Sequence, residues 1–196
     1  MTDYTIKPLG PKTWNDFAAL IKRQGNASWG APGCWCLWFH PRDAEREPDG
    51  DNGPARKERL VKKGQAHAAL VFDGAVAVGW CQYGSPEELP GIHHRKDYDK
   101  GLVKLPDYRL TCIFVDKTHR KKGVAAAALR GALDLIAKAG GGVVEGYPHD
   151  IPEGKKMSAA FVYNLTRRHY EKAGFKYQRP KGNGNCVMIK TVKPSK

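Results

Sequence analysis

The run FVDKTHRKKGVAAAALRGAL, Phe114 to Leu133, concentrates residues whose types and spacing suit binding chemistry. Arg120, Lys121 and Lys122 stand directly before Gly123, and Val124, Ala125 and Ala126 open a stretch of small residues. If that stretch is a helix, its first backbone N–H groups and its dipole favour an anion. Gly123 has no side chain to keep a phosphate from the backbone. A strand, a basic turn, a glycine and a helix together form a cradle for a diphosphate. The Gly-rich dinucleotide fingerprint is absent, and so is Gly-x-x-x-x-Gly-Lys-Ser/Thr. An ordinary strand-to-helix connection with solvated lysines is the alternative that these residues alone leave open.

Three other groups could contribute. The block GCWCLWFH holds Cys34, Trp35, Cys36, Leu37, Trp38, Phe39 and His40. A closed zinc site needs four ligands, and no second closely spaced cysteine pair exists, so no metal is expected and Cys34 and Cys36 are read as reduced thiols. Aromatic packing that seals the substrate end of a sheet suits the block better, with Trp35 and Trp38 as substrate contacts. Glu145 and His149 fall at or just past the end of a strand and are further substrate-side candidates; a loop His has a suitable intrinsic pKa but is often only solvated. His93-His94 in GIHHRKDYDKG reads as a solvated basic loop.

These groups need elements to position them. YTIKPL alternates as a short strand. In PKTWNDFAALIKRQG, Trp14, Phe17, Ala18, Leu20 and Ile21 share a helical face. GPARKERLVKKG is a short basic helix between Pro54 and Gly64. AHAALVFDGAVAVGWCQYG is a hairpin turning at Asp73-Gly74. YRLTCIFV is a strongly β-prone strand. A helix follows over 124–139, with an apolar face of Ala125, Ala128, Leu129, Ala132, Leu135, Ile136 and Ala139 opposite Arg130, Asp134 and Lys138. Then come the strand GVVEGYP, a helix over 158–173, and the strands FKYQ and NCVMIKTV. The order predicts an α/β (mixed α+β) domain over 1–196, a central mixed sheet with helices on both faces, and irregular insertions near 25–54 and 84–106.

The composition of the 196 residues is that of a globular chain that needs no disulfide or metal staple. No apolar run reaches the roughly 20 residues of a membrane helix. The start lacks a signal-peptide core, so a cytoplasmic protein, monomer or homodimer, without a membrane partner is expected. Lys and Arg number 33 against 20 Asp and Glu, a net charge of +13. That favours an anionic partner or simply a well-solvated surface. The positive residues form no arm and no zinc-finger spacing, so nucleic acid is the weaker choice.

FVDKTHRKKGVAAAAL resembles the acetyl-CoA signature of the GNAT superfamily of N-acyltransferases: a strand, then Arg-x-x-Gly-x-Ala, then a helix. YNLTRRHYEKAGF is similar to that superfamily's helix ending Tyr-x-x-x-Gly-Phe. The two cover Tyr108 to Phe175, about a third of the chain, and the Cys-x-Cys aromatic block is similar to one bacterial subgroup. The resemblance implies a mixed sheet of about seven strands, splayed between the strands Arg109–Val115 and Gly142–Tyr147. It implies acetyl-CoA as co-substrate, with its pantetheine arm on the backbone of Ile113, Phe114 and Val115. Its diphosphate would sit on Lys121 to Ala126, with Arg120 at the rim and Asn164 as a further contact. It gives Tyr170 the task of protonating the leaving thiolate. It implies acetyl transfer to a primary amine of a small molecule by direct attack, or, alternatively, to a protein amine or aminoacyl-tRNA. Many members carry a Glu on the strand before the cradle. This chain has none there, and Asp107, Cys112, Glu145 and His149 leave the base unassigned.

Overall fold

A computed structural model describes residues 3–24, 35–41, 53–152, 154 and 163–195. The elements are β1 (Thr5–Pro8), α1 (Trp14–Arg23), α2 (Pro54–Lys62), β2 (His67–Asp73), β3 (Val76–Gly84), α3 (Arg95–Lys100), β4 (Tyr108–Val115), α4 (Val124–Lys138), β5 (Gly142–Gly146), α5 (Arg167–Lys172), β6 (Lys176–Lys181) and β7 (Asn185–Val192). The seven strands form one sheet in the order β1-β2-β3-β4-β5-β7-β6. The β4–β5 pair is parallel and all the others are antiparallel. Among the described residues no helix is long and apolar enough to cross a membrane.

Side chains alternate across the pleat, and both faces are covered. Ala69, Val71 and Cys81 pack under Ala128, Leu129, Ala132 and Ile136 of α4 and under Tyr170 of α5. Leu70, Phe72 and Trp80 face the other way, against Phe17, Leu20 and Ile21 of α1, Val61 of α2, and Trp35, Leu37 and Phe39. That is why β2 and β3 read as nearly continuous apolar runs. Phe17 meets the Trp80 ring edge-on at 5.2 Å, and Trp35 stacks on Trp14 at 5.7 Å.

Two expectations are corrected. The stretch 84–106 contains a helix, α3, which six charged and aromatic residues gave no apolar stripe to reveal. Its one buried residue, Tyr98, lies with the Arg109 guanidinium 5.5 Å and the Arg179 guanidinium 5.1 Å from its ring. Among the described residues of the helix expected over 158–173, only Arg167–Lys172 are helical. Tyr163 to Thr166 form a turn and a bridge because Leu165 is left-handed, at φ 58°, and Thr166 is extended. Residues 158–162 lie outside the described residues.

The loop after β3 is tied back by His67. Its Nδ1 lies 2.6 Å from Glu88 Oε2, and its backbone N–H donates to Glu88 Oε1 at 2.9 Å. The hydrogen bond to Glu88 raises the His67 pKa. A raised folded pKa stabilises fully below the unfolded value and ceases to do so as pH rises through the folded value. The His67 side chain is 44% exposed, so solvent screening holds the contribution below about 1 kcal/mol. Urea unfolding of wild type and His67→Asn should therefore differ most near pH ~5 and converge toward pH ~9. A gap that widens with pH would refute this role.

Candidate active site

The site begins where β4 and β5 part. They pair only from Tyr108↔Val144 through Arg109↔Glu145 to Leu110↔Gly146. β4 then continues beside β3 as far as Gly79↔Val115. Thr111 is the extra residue at the register shift, opposite Gln82 and Tyr83, so β4 bends where it leaves β5. Beyond that point, among the described residues, one edge of β4 has no strand beside it. Asp116 donates its N–H to Val78 O at 2.9 Å. By alternation Phe114 also points its backbone groups at β3, while Ile113 and Val115 point theirs into the splay.

Among the described residues one segment of the chain itself enters the splay. Ile113 donates its N–H to Tyr163 O at 2.7 Å. On the far side His149 donates to Leu165 O at 3.0 Å and accepts from Arg167 at 2.9 Å. Tyr163 to Thr166 therefore stitch the end of β4 to the extension of β5. Asn164 is buried here, and its Oδ1 has no hydrogen-bond partner among the described residues.

Val115 leads into the basic turn. Asp116 accepts from the Thr118 N–H at 2.9 Å and starts it. Lys121 (φ 62°) and Gly123 (φ 85°) are left-handed, which aims successive N–H groups at one side of the turn. The first intrahelical bond of α4 runs from Ala127 N–H to Gly123 O at 3.0 Å. The N–H groups of Val124, Ala125 and Ala126 precede it and have no acceptor within the helix. Arg120, Lys121 and Lys122 are exposed around them. A Cβ built on Gly123 meets no protein atom within 4 Å, so the space above the turn is open.

Tyr170 lies under the splay. Its ring packs edge-on to Phe175 at 4.9 Å and lies so close to β5 that a Cβ at Gly146 would overlap it. The residue is fully buried, and its Oη has no hydrogen-bond partner among the described residues. Burial holds its pKa well above the usual phenol value, so the proton stays on the oxygen.

The remaining candidates separate. Trp35 belongs to the core beside Trp14 and Phe17. Glu145 is buried, and its Oε2 accepts from the hydroxyls of both Tyr98 and Tyr147 at 2.9 Å, beside the buried Arg109. His149 borders the splay, and Trp38 is linked to that region through His93 and Tyr163, partners that the sequence did not single out for the purpose. Trp38 stacks on His93 at 3.8 Å, and Tyr163 touches Phe39, His93 and His149. His93 is thus half-buried under an indole, in contrast to the solvated loop expected for it. Cys36 is buried, and Cys34 lies outside the described residues. Among the described residues no three His, Cys, Asp or Glu side chains are grouped to hold a metal.

A parallel pair that opens after three rungs, a helix on the opening side and a basic turn at its start define the GNAT fold. Three solved proteins share it along nearly their whole length. The Salmonella typhimurium protein yncA, solved with its cofactor acetyl-CoA, is 16% identical, with 98% of this chain and 95% of that one covered at a TM-score of 0.53. The aminoglycoside 6'-N-acetyltransferase from Enterococcus faecium is 16% identical, with 98% and 99% covered at 0.53. The ribosomal-protein-S18-alanine N-acetyltransferase from Escherichia coli is 13% identical, with 99% and 97% covered at 0.51. At these identities the likeness is one of fold. No protein-family model and no curated protein matches the chain.

Proposed function

We propose that the chain is an acetyl-CoA-dependent N-acetyltransferase acting on a primary amine of a small molecule. The observation that carries this reading is the opening of β4 from β5 directly before the left-handed basic turn. It provides a slot for an extended arm and a cradle for the diphosphate at the arm's end. The Tyr170 Oη and Asn164 Oδ1 beside the slot, without a hydrogen-bond partner among the described residues, fit the same ligand. Support comes also from the similar fold of a protein solved with acetyl-CoA.

In this reading the N–H groups of Lys121 to Ala126 receive the diphosphate, with Arg120, Lys121 and Lys122 adding screened attraction. The slot edge of Ile113 and Val115 pairs with the arm. Tyr163 O holds the Ile113 N–H in the free protein and must yield it. Acetyl-CoA supplies the thioester. As the acceptor's C–N bond forms and the C–S bond breaks, the amine loses a proton to water and the leaving sulfur gains one from Tyr170. Solvent then restores the phenol. The same burial that raises the phenol also raises the proton affinity of a thiolate beside it, so the transfer is not penalised by the shift.

A second reading, a macromolecular acceptor such as a protein amine or aminoacyl-tRNA, is favoured by the +13 charge. Free-thiol release from acetyl-CoA, screened against small amines, peptides and charged tRNA, tests both. Release with small amines is expected; release confined to peptides or tRNA would transfer the assignment to the second reading. Gly123→Ala gives a sharper test of the cradle. Its Cβ would enter the open space at a left-handed backbone position that costs roughly 1–2 kcal/mol for a non-glycine. Acetyl-CoA affinity should fall about tenfold or more. Unchanged affinity, with the strain confirmed by urea unfolding, would place the diphosphate elsewhere.

A further inference from the structure

We infer that residues 163–166 form a two-state strap, which bridges the splay in the free protein and winds onto the start of α5 when acetyl-CoA enters. This inference rests on the acetyltransferase reading and adds to it the device that opens the site.

Backbone bonds tie the strap to both lips of the splay. Tyr163 O accepts from the Ile113 N–H of β4 at 2.7 Å. Leu165 O accepts from the His149 N–H, just past β5, at 3.0 Å, and Thr166 bridges to His149. The bond from Ile113 takes the N–H that the pantetheine arm needs, so strap and arm exclude each other.

The strapped backbone is strained and starts its helix poorly. Leu165 is left-handed at φ 58°, a conformation that costs a leucine and not a glycine. Thr166 is the N-cap of α5 but makes no side-chain capping bond, and α5 has six residues. The sequence through the strap reads as helix, and Asn164, Leu165 and Thr166 include no glycine or proline to forbid one. Little side-chain packing opposes a move. Tyr163 is half-buried, and its ring meets Phe39, His93 and His149 at centroid distances of 5.8 to 6.5 Å, none of them face to face.

The hydrogen bonds balance if the strap winds up. In an α-helix each N–H donates to the carbonyl four residues back. The Arg167 N–H, held by His149 O at 2.9 Å in the strapped form, would turn to Tyr163 O and replace the donor Ile113. The His169 N–H, held by Thr166 O at 2.9 Å, would turn to Leu165 O and replace the donor His149. Both strap carbonyls keep a donor, and Leu165 reaches an ordinary helical φ. The Ile113 N–H passes to the arm, and the backbone of His149 comes to line the slot. Because the arm fits only the wound form, acetyl-CoA selects that form, and its apparent affinity is lowered by the strapped fraction.

The test compares Leu165→Gly with Leu165→Ala in the full chain. Both remove the leucine side chain, so its lost packing cancels, and they differ in backbone freedom. Glycine takes the left-handed strap without strain and disfavours the helix; alanine does the reverse. Acetyl-CoA should therefore bind Leu165→Gly about tenfold or more weakly than Leu165→Ala in calorimetry. Wild type gives the second readout: in heteronuclear NMR the Cα shifts of Leu165 and Thr166 should move to helical values as acetyl-CoA saturates. Should either variant fold poorly, that titration decides the matter. Equal affinities, tighter binding to Leu165→Gly, or a Thr166 Cα shift that stays extended at saturation would each overturn the strap and leave the acetyltransferase reading intact. Failure of acetyl-CoA to bind wild type at all would remove that reading, and the strap's role with it.

Discussion

Tyr170→Phe should lower the acetyl-transfer rate by ~10²–10⁴, the usual cost of losing a general acid. Acetyl-CoA affinity should hardly change. The variant deletes one oxygen from a ring packed against Phe175 and the β5 backbone, so its packing survives. It also removes a buried hydroxyl that has no partner among the described residues, which should leave stability equal or slightly improved. That pairing of effects is the signature: a rate loss without a stability loss. A thioester sulfur accepts hydrogen bonds weakly and a thiolate strongly, so the hydroxyl acts mainly in the transition state and the loss falls on kcat. Near-normal kcat, measured where chemistry limits the rate, would show that water or another group protonates the sulfur.

The second large effect is on stability in acid, and it comes from His40. This ring is almost fully buried, with Nε2 2.8 Å from Gln82 Nε2 and 3.0 Å from Lys57 Nζ. Both neighbours donate, so the network assigns the proton to Nδ1 and the ring is neutral. Burial first, and then the Lys57 and Arg56 charges, push its pKa down to about 3. A depressed histidine pKa means that the unfolded chain takes up the proton first. Stability is therefore retained above the unfolded value, near 6.5, and lost as pH falls toward about 3. Over that whole span the loss from this one ring is on the order of 5 kcal/mol. His67 works in the opposite direction, but it is half-exposed and too weak to offset it. Urea unfolding between pH ~7 and pH ~4 should show wild-type stability falling steeply, and His40→Gln should flatten the slope. Parallel curves for the two proteins would mean that His40 is not the titrating group.

The legible parts of the fold are those that local pattern encodes. The stripe Ala125, Ala128, Leu129, Ala132, Ile136 marked α4 to within one residue of its observed end, because a helix on a sheet must bury one continuous face. The hairpin turn at Asp73-Gly74 was readable because Gly74 has to be left-handed, and it is, at φ 58°. The cradle was readable because its residues are contiguous. What escaped depends on residues distant in sequence. α3 is held by two arginines, one on β4 and one on β6, meeting Tyr98. The left-handed Leu165 ends a run that otherwise reads as helix, and no glycine marks the place. The stack of His93 on Trp38 joins residues 55 positions apart, so His93-His94 read as loop. Glu145 is the converse case. Its type suggested chemistry, but its two tyrosine partners come from α3 and from the end of β5, and only the folded chain shows its Oε2 occupied.

Binding of acetyl-CoA is the claim on which the rest depends, and calorimetric titration of acetyl-CoA into the purified chain at low ionic strength measures it directly. One molecule should bind per chain, and the amide of Ile113 should lose its partner Tyr163 O as it does, visible as a shift of that amide in a heteronuclear NMR spectrum. The Gly123 and Val124 amides at the cradle should shift in the same titration. Saturating acetyl-CoA with no heat, and with all three amides unmoved, would contradict the account at its centre.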